Sequence, residues 1–234
     1  MDDRIQSVII PCFIAKLKEA GIAGVDDYGK KLKQNARIIE NLKDFLMEAH
    51  AAFMFSHYGF TVTMRESPDL RIVLDNETVY AEVKHFREKE QDRTDQEAME
   101  KSEDLVAVGI LPPNELCPWQ QIANRAIKYE KQYVENAPNL LVLVSDSNAV
   151  GGSVLETGVV RFNQMVATSD ANSPLRRLSA VMLVDEVNEL WTGQDLVNVY
   201  FCPTALGVPM SAKMTEALTV IQKWSWPRDV INIA

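Results

Sequence analysis

Cysteine is scarce in this sequence of 234 residues, which contains only Cys12, Cys117 and Cys202. The three are far apart and odd in number, and no CxxC pair occurs, so a disulfide framework or a cysteine-based zinc site is disfavoured. Hydrophobic residues make up 47% of the chain and charged residues 24%, as is usual for a soluble globular protein. A sizeable core is therefore expected without covalent cross-links.

Long hydrophobic runs are also missing at the start of the chain. The apolar run over residues 8–15 follows Asp2, Asp3 and Arg4, and it is too short and too acidic at its start for a signal peptide. It is far too short to span a bilayer. We therefore expect a cytoplasmic protein with no membrane partner.

Positive charge is in deficit, with 24 Lys and Arg against 33 Asp and Glu and a net charge of −9. This balance disfavours a protein that coats nucleic acid, because phosphate affinity comes mainly from lysine and arginine. It does not exclude an enzyme that acts on nucleic acid, since an acidic metal site adds negative charge and local basic patches matter more than the sum. One such patch consists of Lys30, Lys31, Lys33, Arg37 and Lys43.

Hydrophobic periodicity predicts helices in the first quarter of the chain. Residues 1–40 are expected to form two helical segments broken near Gly21 and Gly24, and residues 41–58 an amphipathic helix that Gly59 ends. The apolar positions of the third helix make one stripe. They are Leu42, Phe45, Leu46, Ala49 and Phe53.

The middle of the chain predicts a short strand and a hairpin. Residues 60–64 form a short β candidate, and two β-rich runs, 70–74 and 79–84, flank the turn-forming residues 75–78. The charged stretch 85–104 is expected to be a solvated helix or a mobile insertion.

The rest of the chain alternates between helical and β-rich segments, which predicts a mixed α/β layered domain. The apolar run 140–144 has no alternation and predicts a central strand covered on both faces. Ser153 and Glu156 predict a capping box before a helix. The remaining expected elements are a helix over 119–133, strands over 180–184 and 196–201, and a helix over 211–224.

Three ionisable residues of the hairpin are predicted to share one face. Side chains alternate along a strand, so Glu82 and Lys84 point the same way. With Asn76-Glu77 as the tight turn, Asp69 lies opposite Lys84, and with Asp75-Asn76 as the turn it lies opposite Glu82. Either register brings two carboxylates and an ammonium together.

Two carboxylates beside a lysine fit metal-dependent phosphate chemistry. Mg²⁺ prefers oxygen ligands and keeps several waters, so one or two carboxylates can hold it beside a phosphate. A lysine there can orient the attacking water and stabilise the transition state. Asp69 and Glu82 are therefore the predicted ligands of Mg²⁺, for which Mn²⁺ should substitute. The Val83 carbonyl is a further ligand candidate, and Lys84 is the predicted catalytic cation.

Pro68-Asp69, followed after twelve residues by Glu82-Val83-Lys84, resembles the PD-(D/E)xK motif of restriction endonucleases, Holliday-junction resolvases and related phosphodiesterases. The motif and its flanking elements cover residues 41–146, and the order of elements extends the likeness to residue 234. The resemblance implies a restriction-endonuclease-like mixed β-sheet flanked by helices over residues 41–234, behind an N-terminal helical segment, 1–40.

The activity that this resemblance implies is that of a Mg²⁺-dependent nuclease. It would hydrolyse phosphodiester bonds of DNA, or as the second option RNA, by in-line attack of water. Many proteins of the family cut as dimers, so a homodimer is expected.

The same resemblance implies further site residues. Its members place a helix before the motif, often with a third acid, and Glu48 lies in the corresponding helix. They also carry polar residues on the helix after the motif. Gln121 and Lys128 resemble the auxiliary positions that bind phosphate or water, and Arg125 lies in the same polar stripe, so all three are predicted to contact substrate.

Simpler interpretations stay open for most of these residues. Asp, Glu and Lys are common on the wet face of a hairpin, and Glu48 is equally well explained as an acid at the solvent edge of a helix. The rival hypothesis is a non-cleaving binding or assembly module on the same fold. His50 and His57 lack a third ligand at suitable spacing, which disfavours zinc. His85 should point to the face opposite Lys84.

Overall fold

Seven strands, hydrogen-bonded in their order along the chain, form the centre of the molecule in the computed structural model, which describes residues 10–35, 39–86, 118–145, 151–185 and 197–225. Strands β1 to β3 are antiparallel, β3 to β5 are parallel, and β5 to β7 are antiparallel again. The sheet is therefore mixed. The strands are β1 (Thr61–Met64), β2 (Leu70–Leu74), β3 (Glu77–Phe86), β4 (Asn139–Ser145), β5 (Leu178–Val184), β6 (Val197–Pro203) and β7 (Lys223–Trp224).

Helices cover both faces of this sheet, which makes the protein a mixed α/β layered structure. Two 3₁₀ turns, Glu130–Gln132 and Pro174–Arg177, connect helices to strands. The helices in the described ranges are α1 (Ile10–Glu19), α2 (Val25–Asn35), α3 (Ile39–His57), α4 (Pro118–Lys128), α5 (Gly152–Ala167) and α6 (Ala212–Thr219). None of them has the length and apolar character needed to cross a membrane.

The two faces bury separate hydrophobic clusters because side chains alternate along each strand. Ala81 and Val83 of β3 belong to the cluster that contains α1, α2, α3 and α6. Phe86 and the β4 residues Leu141 and Leu143 belong to the cluster beneath α4 and α5. Glu82 and Lys84 therefore lie on the α4 side of β3.

The predicted central strand is confirmed, since every residue of β4 is buried and β4 lies between β3 and β5. The hairpin of β2 and β3 belongs to the same sheet, and β5 is fully buried as well. Parallel strands covered on both faces carry continuous apolar runs, which is why residues 140–144 and 180–184 could be identified from sequence.

The two predicted N-terminal helices are confirmed, and the chain between them turns at Gly21 and Gly24. Both glycines have left-handed backbone, with φ of 73° and 76°, a conformation that other residues adopt only at a cost. Helices α1 and α2 share the hydrophobic cluster of α3. The division of the chain at residue 40 stays a prediction.

The helix predicted over 41–58 is confirmed as α3 and its predicted apolar stripe lies in the core, but the solvent-facing side that an amphipathic helix implies is wrong, because every residue from Leu46 to Phe55 is buried. The side of α3 that was expected to face solvent is covered by other elements. On that side, Phe55 packs edge-on against Phe60, just before β1, with ring centroids 5.8 Å apart. On the predicted stripe, Phe13 of α1 packs edge-on against Phe53. The Tyr28 hydroxyl of α2 donates to the Phe45 carbonyl at 2.6 Å. The buried polar residues Glu48 and His50 made the rest of the helix resemble a solvent face in the sequence.

Two predicted helix ends are also corrected. The predicted capping box fails because α5 already begins at Gly152, which places Ser153 inside the first turn, and among the described residues no side chain caps this helix. The last helix ends at Thr219 instead of residue 224. Trp224 pairs with Val197 as part of β7, and its indole donates to His50 Nδ1 at 3.1 Å.

The helix predicted over 119–133 is shorter than expected. Helix α4 ends at Lys128 and a 3₁₀ turn follows, so that Tyr133 is buried and donates to the Ala126 carbonyl at 2.7 Å. Within the charged stretch 85–104, His85 and Phe86 belong to β3, whereas residues 87–104 lie outside the described residues, as do Arg37 and Cys117.

Candidate active site

A cleft of about 690 Å³ opens beside β3, between α2 and α3 on one side and α4 on the other. Asp69, Glu82, Val83 and Lys84 all line it, as does Glu48 of α3. The five residues that the sequence and its resemblance assigned to metal binding and catalysis thus lie around one cavity. The cavity is large enough to hold a ligand beside these residues.

The hairpin register decides how Asp69 meets β3. Leu74 pairs with Glu77 and Leu70 with Ala81, so Asp75-Asn76 is the turn and Asp69 lies across from Glu82. This is the second of the two registers that the sequence allowed. Asp69 comes just before β2, and its carboxylate accepts a hydrogen bond from β3 that a backbone carbonyl of a neighbouring strand would otherwise accept. Its Oδ2 accepts hydrogen bonds from the Val83 amide at 2.9 Å and from Lys84 Nζ at 3.1 Å.

Lys84 bridges the two buried carboxylates. Its ammonium forms an ion pair with Glu82 as well as with Asp69, and it lies 5.0 Å from the centre of the Tyr129 ring. With its amide nitrogen turned toward the site, Gln132 donates to both carboxylate oxygens of Glu82. The three groups are therefore held in fixed positions before any ligand binds.

Glu48 adds a third carboxylate from the opposite wall. It is 7% exposed and lies on α3, and Lys31 Nζ of α2 is 3.6 Å from its Oε2. The structure places Glu48 where the resemblance expects a third acid. The position of Lys31 was not predicted as part of the site.

Burial perturbs the acid–base behaviour of these groups. The pKa of Glu48 is raised to about 8 and that of Glu82 to about 7, in both cases first by burial and second by the nearby Asp69 carboxylate. Burial alone would lower the pKa of Lys84, but Asp69 and Glu82 together outweigh it and raise that pKa. Carboxylates that resist ionisation because they are dry and crowded favour an additional cation.

Helix α4 supplies the basic wall of the cleft. Arg125 and Lys128, both predicted to contact substrate, line it, whereas Gln121 lies one helical turn before Arg125, outside the described lining. Arg125 Nη1 donates to the His85 carbonyl at 3.1 Å and its guanidinium lies over the Phe86 ring. These two contacts attach α4 to β3 at Arg125.

Several lining residues were missed in the sequence. Tyr129 and Gln132 were not among the predicted site residues. Their spacing of four and seven residues from Arg125 is helical and was the available signal. Lys31 was noted only as part of a basic patch, because its place in the site depends on how α2 packs against α3.

His85 points as predicted to the face opposite Lys84, yet it also lines the cleft. Its Nδ1 lies 3.0 Å from Asp44 Oδ1 of α3, one helical turn before Glu48. The pair thus ties α3 to β3 close to the three carboxylates. A tie at this point holds Glu48 at a fixed distance from the strand.

The donor set fits a hard cation with few protein ligands. Among the described residues, no three His, Cys, Asp or Glu side chains converge closely enough to hold a metal by themselves. Mg²⁺ needs only one or two carboxylates because it retains water ligands. Asp69 and Glu82 provide them, and the Val83 carbonyl lies on the same edge of β3 as the amide that Asp69 holds.

Comparison of the chain with protein-family models, with curated proteins and with solved structures found no match. The chain is therefore assigned to no family, and the residues of the cleft carry the functional inference.

Proposed function

We propose that this protein is a Mg²⁺-dependent nuclease of the restriction-endonuclease-like kind, which hydrolyses phosphodiester bonds of nucleic acid, with DNA as the first substrate to test. One observation carries the proposal. Asp69 Oδ2 accepts from both the Val83 amide and Lys84 Nζ, while Glu82 pairs with the same ammonium at the bottom of an open cleft. Two acids and one lysine held in this way are the groups that metal-assisted phosphate hydrolysis uses.

Asp69, Glu82 and the Val83 carbonyl would hold Mg²⁺. When bound, the cation makes a water molecule more acidic and neutralises charge on the phosphate. Lys84 stays beside the carboxylates, because the Tyr129 ring packs next to its ammonium. From there it can donate to a phosphate oxygen as negative charge develops in the transition state. Glu48 faces the same space and can orient water through its carboxylate.

The walls of the cleft suit a chain of phosphates. Lys31 lies on one side and Arg125 and Lys128 on the other, so cations flank the acidic floor. Local positive charge of this kind attracts a polyanion even on a protein with a net charge of −9. In-line attack by water would leave a 5′-phosphate and a 3′-hydroxyl, as the resemblance implies.

A non-cleaving module is the second candidate, and one observation favours it. The Lys84 ammonium already has both Asp69 and Glu82 as partners, and a buried ion-pair network can serve specificity of folding alone. On that hypothesis the acidic cleft would bind a protein partner, and no metal would be needed.

Cleavage assays with matched variants separate the two candidates. Supercoiled plasmid and single-stranded DNA are incubated with Mg²⁺, Mn²⁺, Ca²⁺ or EDTA and with wild type, Lys84→Ala or Lys213→Ala. Lys213 is an exposed lysine far along the chain that pairs with Asp75, and it serves as the control. We expect cleavage with Mg²⁺ and Mn²⁺ only, and a loss on the order of a hundredfold or more for Lys84→Ala alone.

Two results would favour the module. Equal cleavage by all three proteins would assign the activity to another site or to a contaminant. Absence of cleavage of duplex and single-stranded DNA and RNA by wild type, with either metal, would remove the nuclease proposal altogether.

A further inference from the structure

A second groove, of about 430 Å³, adjoins the catalytic cleft between α2 and the end of β1. Lys31 and Glu66 line both cavities, so the two cavities lie side by side. A linear polymer with one residue in the cleft can therefore place its next residue in the groove.

Backbone contacts fix the shape of this groove. Ala23, in the loop before α2, forms a parallel bridge with Thr63. Its amide donates to the Val62 carbonyl at 3.0 Å, and its carbonyl accepts from the Met64 amide at 2.8 Å. The start of α2 is thereby attached to β1, and the groove exists before a ligand arrives.

Cations outnumber acids in the groove, in contrast to the cleft. Lys30, Lys31 and Arg65 face Asp27 and Glu66 there, whereas the acids that line the cleft are Asp44, Glu48, Glu66, Asp69 and Glu82. The ion pair of Lys30 with Asp27 at 2.7 Å is fully solvated, with side chains 73% and 87% exposed. Such a pair contributes little and can be exchanged for a better anion.

Arg65 is arranged to present its guanidinium to a ligand. The side chain is exposed, and its guanidinium lies over the Tyr80 ring, 5.1 Å from the ring centre. Stacking of this kind restrains the planar group while its N–H donors stay at the edge, where a phosphate can accept two of them.

We infer that this groove binds the backbone phosphate of a nucleotide next to the one that is cut. Lys30 and Arg65 are its phosphate ligands, and Lys31 stands between the flanking phosphate and the scissile one. The inference rests on the proposed function, because the cleft defines where the strand runs. It assigns a role in substrate binding to α2, whose Lys30 and Lys31 belong to the basic patch of the sequence, and to the segment between β1 and β2.

Binding measurements under non-cleaving conditions test it. Fluorescence anisotropy gives the Kd of a labelled DNA strand in Ca²⁺ over a series of salt concentrations, for wild type, Lys30→Gln and Arg65→Gln. Lys33→Gln is the control, because Lys33 is an exposed lysine of the same helix and of the same basic patch but lies outside the described lining of both cavities, so it separates the groove from the charge of the patch as a whole. Circular dichroism verifies that each variant is folded.

We expect weaker binding by Lys30→Gln and Arg65→Gln, and unchanged binding by Lys33→Gln. Each lost phosphate contact should also reduce the slope of log K against log salt by about 0.7 for a single strand. A strand with a neutral methylphosphonate at the flanking position should bind wild type and Arg65→Gln equally, because the phosphate charge that Arg65 reads is gone.

The outcomes distinguish this inference from the proposed function. If wild type binds and cuts DNA but all three variants bind with the same Kd and salt slope, the groove is not a phosphate site and the nuclease proposal stands. If wild type neither binds nor cuts any nucleic acid, the proposed function fails and this inference fails with it.

Discussion

Lys31 Nζ of α2 lies 3.6 Å from Glu48 Oε2 of α3 and 4.7 Å from the centre of the Phe45 ring. The contact joins the N-terminal helical segment to the acidic cleft. It also places a half-exposed cation beside a carboxylate that is almost fully buried. Helix α2 therefore forms part of the candidate site as well as part of the core.

Deletion of residues 1–40 should yield an unstable protein without activity. Phe13, Leu17 and Leu32 are fully buried in the cluster that α3 shares, and their removal exposes apolar surface that then lacks a partner. Circular dichroism and thermal melting of residues 41–234 alone measure the effect. A cooperative melt and cleavage at the rate of the full chain would show that the segment is a dispensable appendage.

Glu48→Gln should lower the activity, and it should raise the thermal stability of the metal-free protein. Because burial raises the pKa values of Glu48 and Glu82 above the ordinary 4.5, the folded protein binds more protons than the unfolded chain between pH 4.5 and about 8. Its free energy of unfolding therefore falls as pH rises through that window. Glu48→Gln should melt at a higher temperature than wild type near the top of the window, and the difference should shrink toward its lower end.

The control for this measurement is Glu216→Gln, at an exposed position of α6. It should leave the melting temperature and its pH dependence close to those of wild type. A Glu48→Gln protein that melts below wild type at the upper end of the window would show that the carboxylate stabilises the fold, which opposes the expected sign.

Asp69→Asn should remove metal binding while leaving the fold intact. The amide oxygen can still accept from the Val83 amide, but the charge that attracts Mg²⁺ is lost. Calorimetric titration with Mg²⁺ and Mn²⁺ should give uptake by wild type and none by the variant, and cleavage should fall on the order of a hundredfold or more. Asp170→Asn, at an exposed loop position, is the control. Equal uptake by all three proteins would place the metal elsewhere.

Two glycines of the same loop should differ in their tolerance of alanine. Gly21 and Gly24 both have positive φ, but a Cβ at Gly21 meets no atom within 4 Å, whereas one at Gly24 overlaps the Met64 carbonyl. Gly21→Ala should cost on the order of 1 kcal/mol from backbone strain. Gly24→Ala should cost clearly more in urea denaturation, because it also displaces the backbone that attaches α2 to β1. Equal costs would mean that this attachment yields easily.

The parts of the fold that depend on local pattern could be predicted from the sequence. The run 140–144 is apolar at every position, and the hairpin carries turn residues between two β-rich segments, so both follow from short-range rules. The face shared by Asp69, Glu82 and Lys84 follows from the two-residue period of a strand. The choice between the two registers of the hairpin did not follow from the sequence, because Asp75-Asn76 and Asn76-Glu77 are both acceptable turns.

The parts that depend on distant partners could not be predicted. Residues 211–224 contain helical periodicity, yet Trp224 leaves the helix because β6 offers it a strand partner and His50 accepts its indole N–H. Lys31 reaches the cleft only because α2 packs on α3. A tyrosine such as Tyr129 can pack in an apolar core or place its ring face against a cation. Only the position of Lys84 in the folded protein shows that the ring contacts a cation here.

The hydrogen bond between Asp69 and the Val83 amide also has a practical consequence. Most amides of a strand are protected from exchange with deuterium by a neighbouring backbone carbonyl, but this one depends on a side chain that belongs to the site. The exchange rate of this one amide therefore reports whether the Asp69 carboxylate is in place, and the measurement needs neither substrate nor metal. The Val83 amide is a spectroscopic reporter of the integrity of the candidate site that the fold itself provides.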